Sequence, residues 1–203
     1  MQMHDWQTWR KQQRTHLVDC RRAVNKNDHY AWSQAITTLL QQGFPELCNK
    51  NIGIYWPIRG EFDPRPVGIH FQHQGATLAL PEVANKHTPL CFQKWWPDAP
   101  MKKGAYGIPT PENTGQVAVD VIMVPMLGFD SQGYRLGYGS GYFDRTLAVI
   151  KPRPLVIGIA FEVSRIASVD PQPHDIPMDF VVTEANIYRN IESKLTPIDP
   201  PIV

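Results

Sequence analysis

Between residues 135 and 145 the chain reads RLGYGSGYFDR, with glycine at every second position from Gly137 to Gly141. Glycine loses more conformational freedom on folding than any other residue, so such a run marks a strained turn or a backbone that something approaches closely. A helix beginning near Gly141 and continuing through YFDRTLAVI would aim its free N–H groups and positive dipole end into the run. That arrangement suits an anion such as phosphate, since no Cβ stands between the amides and the ligand. Familiar labels do not fit. A dinucleotide fingerprint fails at Tyr142, a Walker A loop lacks its terminal GK[ST], and the outer positions of GxSxG around Ser140 are Tyr138 and Tyr142. By itself the run leaves a phosphate cradle and a structural turn both open. Asp144, in the first turn of the helix, reads locally as a residue that stabilises the dipole.

Holding that loop requires a strand before it and a sheet around it. Strand-length apolar runs occur at 51–56 (NIGIYW), 77–80 (TLAL), 90–95 (LCFQKW), 117–124 (VAVDVIMV), 154–161 (PLVIGIAF) and 179–184 (DFVVTE). The two longest are almost continuously apolar, as strands covered on both faces are. A helix is expected over 4–24, where Trp6, Trp9, Leu17, Cys20 and Val24 fall within a stripe of roughly 80°. Arg10, Arg14 and Arg21 flank that stripe, either as three guanidinium groups at the rim of a contact or as a solvated basic face. A second helix is expected over 28–42, with Asp28 as N-cap and Gly43 and Pro45 as its stop. The stretch 96–116, rich in proline and glycine and carrying Tyr106, is too long for a plain connector and points to a functional loop. Strands alternating with helices predict an α/β three-layer sandwich around a largely parallel sheet, formed by a single domain over 1–203.

Composition narrows the class of function. Of 203 residues, 42% are apolar and 19% charged, as in a soluble globular protein. A net charge of +1 gives no footprint for nucleic acid, and no segment is long and apolar enough for a membrane span. Three widely spaced cysteines outside any CxxC pattern suit a reducing compartment, so a cytoplasmic location is expected. His70 and His73 in HFQH lack an evident third ligand for zinc.

The longer string VPMLGFDSQGYRLGYGSGYFDRTL (124–147) closely resembles the signature of the 5-formyltetrahydrofolate cyclo-ligase family, also called 5,10-methenyltetrahydrofolate synthetases, approximately VPGLaFDxxGxRLGxGxGYYDrxL. YWPIRGEFDPRP (55–66) is similar to the family's early substrate-binding segment. YGIPTP (106–111), HDIPMDFVVTE (174–184) and the arginines at 10 and 14 followed by RRAV (21–24) also resemble family segments, in the same order along nearly the whole chain. The resemblance implies a fold of the NagB/RpiA/CoA-transferase-like kind, carrying an ATP- and Mg2+-dependent ring closure of 5-formyltetrahydrofolate. It further implies small-molecule substrates and a monomer or weak homo-oligomer. Arg135, Leu136, Gly137, Tyr138, Gly139, Ser140, Gly141, Tyr142 and Phe143 would wrap the triphosphate, with Arg10 and Arg14 reaching it from the first helix. Arg14 and Asp144 would be the catalytic groups, and Asp144 and Asp179 the metal ligands. Trp56, Glu61 and Tyr106 would meet the folate, together with Tyr138, Gly139, Gly141 and Tyr142; alternation of Ile52, Ile54 and Trp56 fits a core role for Trp56 equally well.

The chain departs from the pattern at Arg10 for lysine, Gln13 for leucine, Met126 for glycine, Phe143 for tyrosine and Ser140 at a variable position. These departures leave two other readings: a nucleotide- or folate-binding paralogue with little or no turnover, and an ATP-dependent enzyme for a related non-folate heterocycle.

Overall fold

A computed structural model describes residues 5–200. The chain forms, in order, α1 (Trp6–Ala23), α2 (Lys26–Gly43), β1 (Asn51–Gly53), α3 (Arg65–His73), β2 (Thr77–Glu82) and β3 (Cys91–Trp95). The hairpin strands β4 (Met101–Lys103) and β5 (Pro109–Pro111) follow, then β6 (Val121–Pro125), β7 (Gly128–Phe129), β8 (Arg135–Leu136) and α4 (Tyr142–Val149). The last elements are β9 (Leu155–Ile159), β10 (Phe180–Val182), β11 (Ile187–Ile191) and β12 (Lys194–Ile198). Eight strands make one sheet in the order β12-β11-β10-β9-β6-β1-β2-β3. Its five central strands, β10 to β2, run parallel, while β3 at one edge and the β11–β12 hairpin at the other are antiparallel. The expected α/β fold with a largely parallel sheet is present.

Side chains explain the layers. Along β6, Val121 and Met123 enter one core with Ile36 and Leu40 of α2 and Phe71 of α3. Ile122 and Val124 enter the opposite core with Leu147 of α4. Successive residues of a strand point to opposite faces, so a sheet covered on both sides needs the unbroken apolar run seen there. Gly158 of β9 lacks a side chain where Met126 needs the room: a Cβ would stand 2.6 Å from the Met126 sulfur.

Several expected boundaries shift. The first helix starts at Trp6, capped by Asp5, and the expected first residue, His4, lies outside the described residues. Its buried residues are Arg10, Leu17 and Arg21, so two of the three arginines lie inside the contact rather than at its rim. The second helix begins at Lys26, because the Asn25 side chain accepts from the Asp28 N–H and is the cap in place of Asp28. Residues 117–120 precede β6 rather than belong to it; Asp120 bridges to the Asn51 N–H with its carboxylate, holding the entry to the sheet. Likewise 54–56 leave β1 after Gly53 and turn toward the cleft described next.

Candidate active site

Strand β6 ends at Pro125, and the chain then makes the small β7–β8 hairpin before entering the glycine run and α4. Helix α1 lies against this hairpin. Leu17 packs with Leu136 and Val169, and Gly128 admits it: a Cβ there would come 2.7 Å from a Leu17 methyl. The segment therefore sits beyond the carboxyl ends of parallel strands, where open α/β sheets place their ligands. Gly139 and Gly141 adopt φ values of +96° and +63°, which L side chains rarely take. Gly141 caps α4 in the left-handed conformation, and no side chain caps the first N–H groups of the helix. Gly137 faces open space.

Arg14 braces this loop. Its Nε donates to the Gly137 carbonyl at 2.8 Å, and a Cβ on Gly139 would stand 3.1 Å from its Cζ. Burial lowers the Arg14 pKa, as does nearby Arg10, with Asp175 opposing them. Its Nη groups make no hydrogen bond among the described residues and face a cleft of about 510 Å³. Arg10 and Arg135 also line the cleft, but both are tied to the protein. Arg10 donates to the Val169 and Asp170 carbonyls and pairs with Asp175. Arg135 donates to the Ile176 carbonyl and pairs with Asp144 at 2.9 Å.

The opposite wall is built from the segment after β1. Glu61, only 6% exposed, accepts the Ile58 N–H on Oε2 at 2.9 Å and the Tyr138 hydroxyl on Oε1 at 2.7 Å. Burial raises its pKa; the Ile58 and Tyr138 hydrogen bonds and the charges of Arg21 and Arg59 pull the other way. Trp56 lies half-buried at the cleft wall with the Arg65 guanidinium 4.1 Å from its ring centre. It packs on the core and lines the cleft, so both expected roles meet in one side chain. The 96–116 stretch forms the β4–β5 hairpin, whose tip carries Tyr106 at φ +56°. Tyr106 is 71% exposed, and its hydroxyl lies 3.3 Å from that of Tyr142 across the cleft. Phe143 packs its ring against the second core while lining the same space.

A profile described as the 5-formyltetrahydrofolate cyclo-ligase family matches residues 6–184. The chain belongs to the 5-formyltetrahydrofolate cyclo-ligase family. The relative named 5-formyltetrahydrofolate cyclo-ligase from Haemophilus influenzae is 26% identical over 177 residues, 83% of this chain and 94% of the relative. The one from Mycolicibacterium smegmatis is 28% identical over 185 residues, 86% and 93% respectively. The solved structure of the 5,10-methenyltetrahydrofolate synthetase of Aquifex aeolicus superposes with a TM-score of 0.78 at 30% identity, covering 90% of this chain and 93% of that one.

Within this family fold, one expected pairing is not formed. Asp179 precedes β10, at the amino ends of the parallel strands; it accepts from the Val156 N–H and pairs with Arg153 at 2.9 Å. Asp144 stands at the carboxyl ends, so the two do not share a metal site. The aspartate of HDIPMD that lines the cleft is Asp175, four residues earlier. Nothing in the residue types distinguishes the two; the start of β10 does. Arg21, Arg59 and Tyr55 also surround Glu61 and went unassigned. Arg21 was visible as the third member of the arginine face, whereas Tyr55 carried no signal beyond its place beside Trp56. Among the described residues, no helix is long and apolar enough to cross a membrane.

Proposed function

We propose that the cleft converts 5-formyltetrahydrofolate to 5,10-methenyltetrahydrofolate with ATP, releasing ADP and phosphate. The observation that carries the reading is that a single cleft joins a phosphate-type glycine loop braced by Arg14 to a buried carboxylate wall at Glu61. In the reaction the formyl oxygen attacks the γ-phosphorus and ADP leaves. N10 then attacks the activated carbon and gives up its proton, and phosphate departs with the former formyl oxygen. An amide oxygen is a weak nucleophile, so the protein's task is alignment and charge neutralisation rather than covalent catalysis. The amides from Gly137 to Gly141 and the N-terminus of α4 would hold the phosphates, with the Arg14 Nη groups facing the transferred one. Glu61 would accept N–H groups of the pterin, with Trp56 and Tyr106 against its faces.

Asp144 suits a hard cation carried in by the nucleotide. It lines the cleft, and its Oδ2 has no hydrogen-bond partner among the described residues, while Oδ1 is held by Arg135 and Ile176. Mg2+ takes oxygen ligands, and Asp144 would offer it a carboxylate oxygen from the cleft wall. When bound, Mg2+ neutralises phosphate charge. We further propose that the chain works as one domain in the cytoplasm, as a monomer or weak homo-oligomer.

The test is spectrophotometric. Methenyltetrahydrofolate absorbance should grow only when ATP, Mg2+ and 5-formyltetrahydrofolate are all present. Folate binding without turnover would instead indicate a binding paralogue, and nucleotide binding without any response to the folate would indicate another heterocycle.

A further inference from the structure

The contacts around Glu61 fix more than its position. Arg21, 3% exposed, donates from Nε to the Arg59 carbonyl, from Nη1 to the Met126 carbonyl and from Nη2 to the Tyr138 hydroxyl at 2.8 Å. Its Nη2 stands 3.7 Å from Glu61 Oε1, beyond hydrogen-bond reach, so it meets the carboxylate through the tyrosine. A guanidinium never accepts a hydrogen bond. The phenol oxygen must therefore be the acceptor toward Arg21, and its one proton is directed to Glu61. With the Ile58 N–H on Oε2, every protein hydrogen bond to the Glu61 side chain is a donation to it.

We propose that Tyr138 is a positioning residue for Glu61: its hydroxyl, oriented by Arg21, keeps the carboxylate an acceptor-only group facing the paired N–H donors of the substrate's heterocycle. This rests on reading the cleft as a reduced-folate site. A carboxylate held this way accepts two adjacent in-plane N–H groups and repels a ring edge that presents carbonyl oxygens. Tyr138 belongs to the glycine loop, at a position the family signature leaves open, so the selectivity of the pterin side is set from the nucleotide side of the cleft. Its ring also carries the Arg59 guanidinium at 5.3 Å, a contact that Tyr138→Phe retains.

The experiment measures binding of 5-formyltetrahydrofolate and, separately, of ADP by calorimetry across pH, for wild type, Tyr138→Phe, Glu61→Gln and the double variant. The groups facing Glu61 are Arg21 from α1, Tyr138 from the glycine loop, and Arg59 and Tyr55 from its own segment, with Asp63 beyond Tyr55. Of these, Tyr138→Phe removes a hydrogen bond that favours the ionised carboxylate, so loss of folate binding on acidification should begin at higher pH. At neutral pH the folate Kd should rise about tenfold or more, as for loss of a hydrogen bond to a charged group, with the ADP Kd unchanged. Glu61→Gln should abolish the acid limb, and adding Tyr138→Phe to it should cost little more, as in a coupled pair. Equal weakening of both ligands, an unmoved acid limb, or additive losses in the double variant would overturn the proposal. Failure of the wild type to bind reduced folate at all would overturn the proposed function beneath it.

Discussion

Asp144→Ala should destabilise the protein as well as silence it, by more than the loss of a helix-dipole contact at the start of α4 would cost. The Asp144 carboxylate neutralises Arg135, whose side chain is 5% exposed, and accepts the Ile176 N–H at 3.2 Å. Removing one partner of a buried ion pair costs about 3–5 kcal/mol. Asp144 is itself 19% exposed, which places this pair near the lower end, about 3 kcal/mol. The lost Ile176 acceptor adds about 1 kcal/mol. Against a folding stability of about 5–15 kcal/mol this is a large fraction. For a chain of this size it lowers Tm by roughly 8–16 °C. Asp144→Asn keeps hydrogen-bonding oxygen at the site and should lose less. The paired replacement Arg135→Met with Asp144→Leu removes both charges and should recover most of the loss without restoring turnover. Calorimetric or fluorescence melts of the four proteins, alongside turnover, decide the matter. A Tm for Asp144→Ala within about 2 °C of wild type would refute the argument that this carboxylate holds Arg135 in the fold.

Gly139→Ala should weaken ATP binding, since φ +96° and a Cβ 3.1 Å from Arg14 force the loop and its brace apart at a strain of about 1–2 kcal/mol. Gly137→Ala meets no protein atom, so its melt should match wild type while any loss of nucleotide affinity reports the ligand's own approach. The Asp175 pKa is pushed up by burial but held below its ordinary value overall by Arg10, the Gln172 N–H and His174. Its stabilisation is therefore present above about pH 3.8 and lost as pH falls through the lowered value, and Asp175→Asn should flatten that part of an acid-unfolding curve. Glu61 has the opposite sign. Its raised pKa means a contribution present below about pH 4.5 and lost as pH rises through the folded value, so Glu61→Gln should gain on wild type in urea melts as pH increases.

The sheet and the loop were legible in the sequence because unbroken strand-length apolar runs and alternating glycines are local signals. Gly139 and Gly141 stand where backbone geometry requires them, and the aspartate in the first turn of α4 is where the pattern puts it. Partnerships across the chain were not legible. Arg10 and Arg135 look like free cations in a string of letters, yet their carboxylates lie 165 and 9 residues away, and the nearer one is recognisable only once α4 folds back on β8. The same limit separates Asp175 from Asp179: their spacing is visible, but that Asp179 abuts β10 while Asp175 stays in the loop before it depends on where the strand starts.

Met126, a departure from the family signature, and Gly158 constrain how the chain can change. The thioether occupies the volume that a side chain on β9 would need. A side chain at 158 would also meet the Met178 Cγ at 2.9 Å, so trimming position 126 alone does not open the site, and two buried methionines from different segments must give way together. Shape thus ties position 158 to two others at once, and a lineage can diversify it only after both have been made smaller.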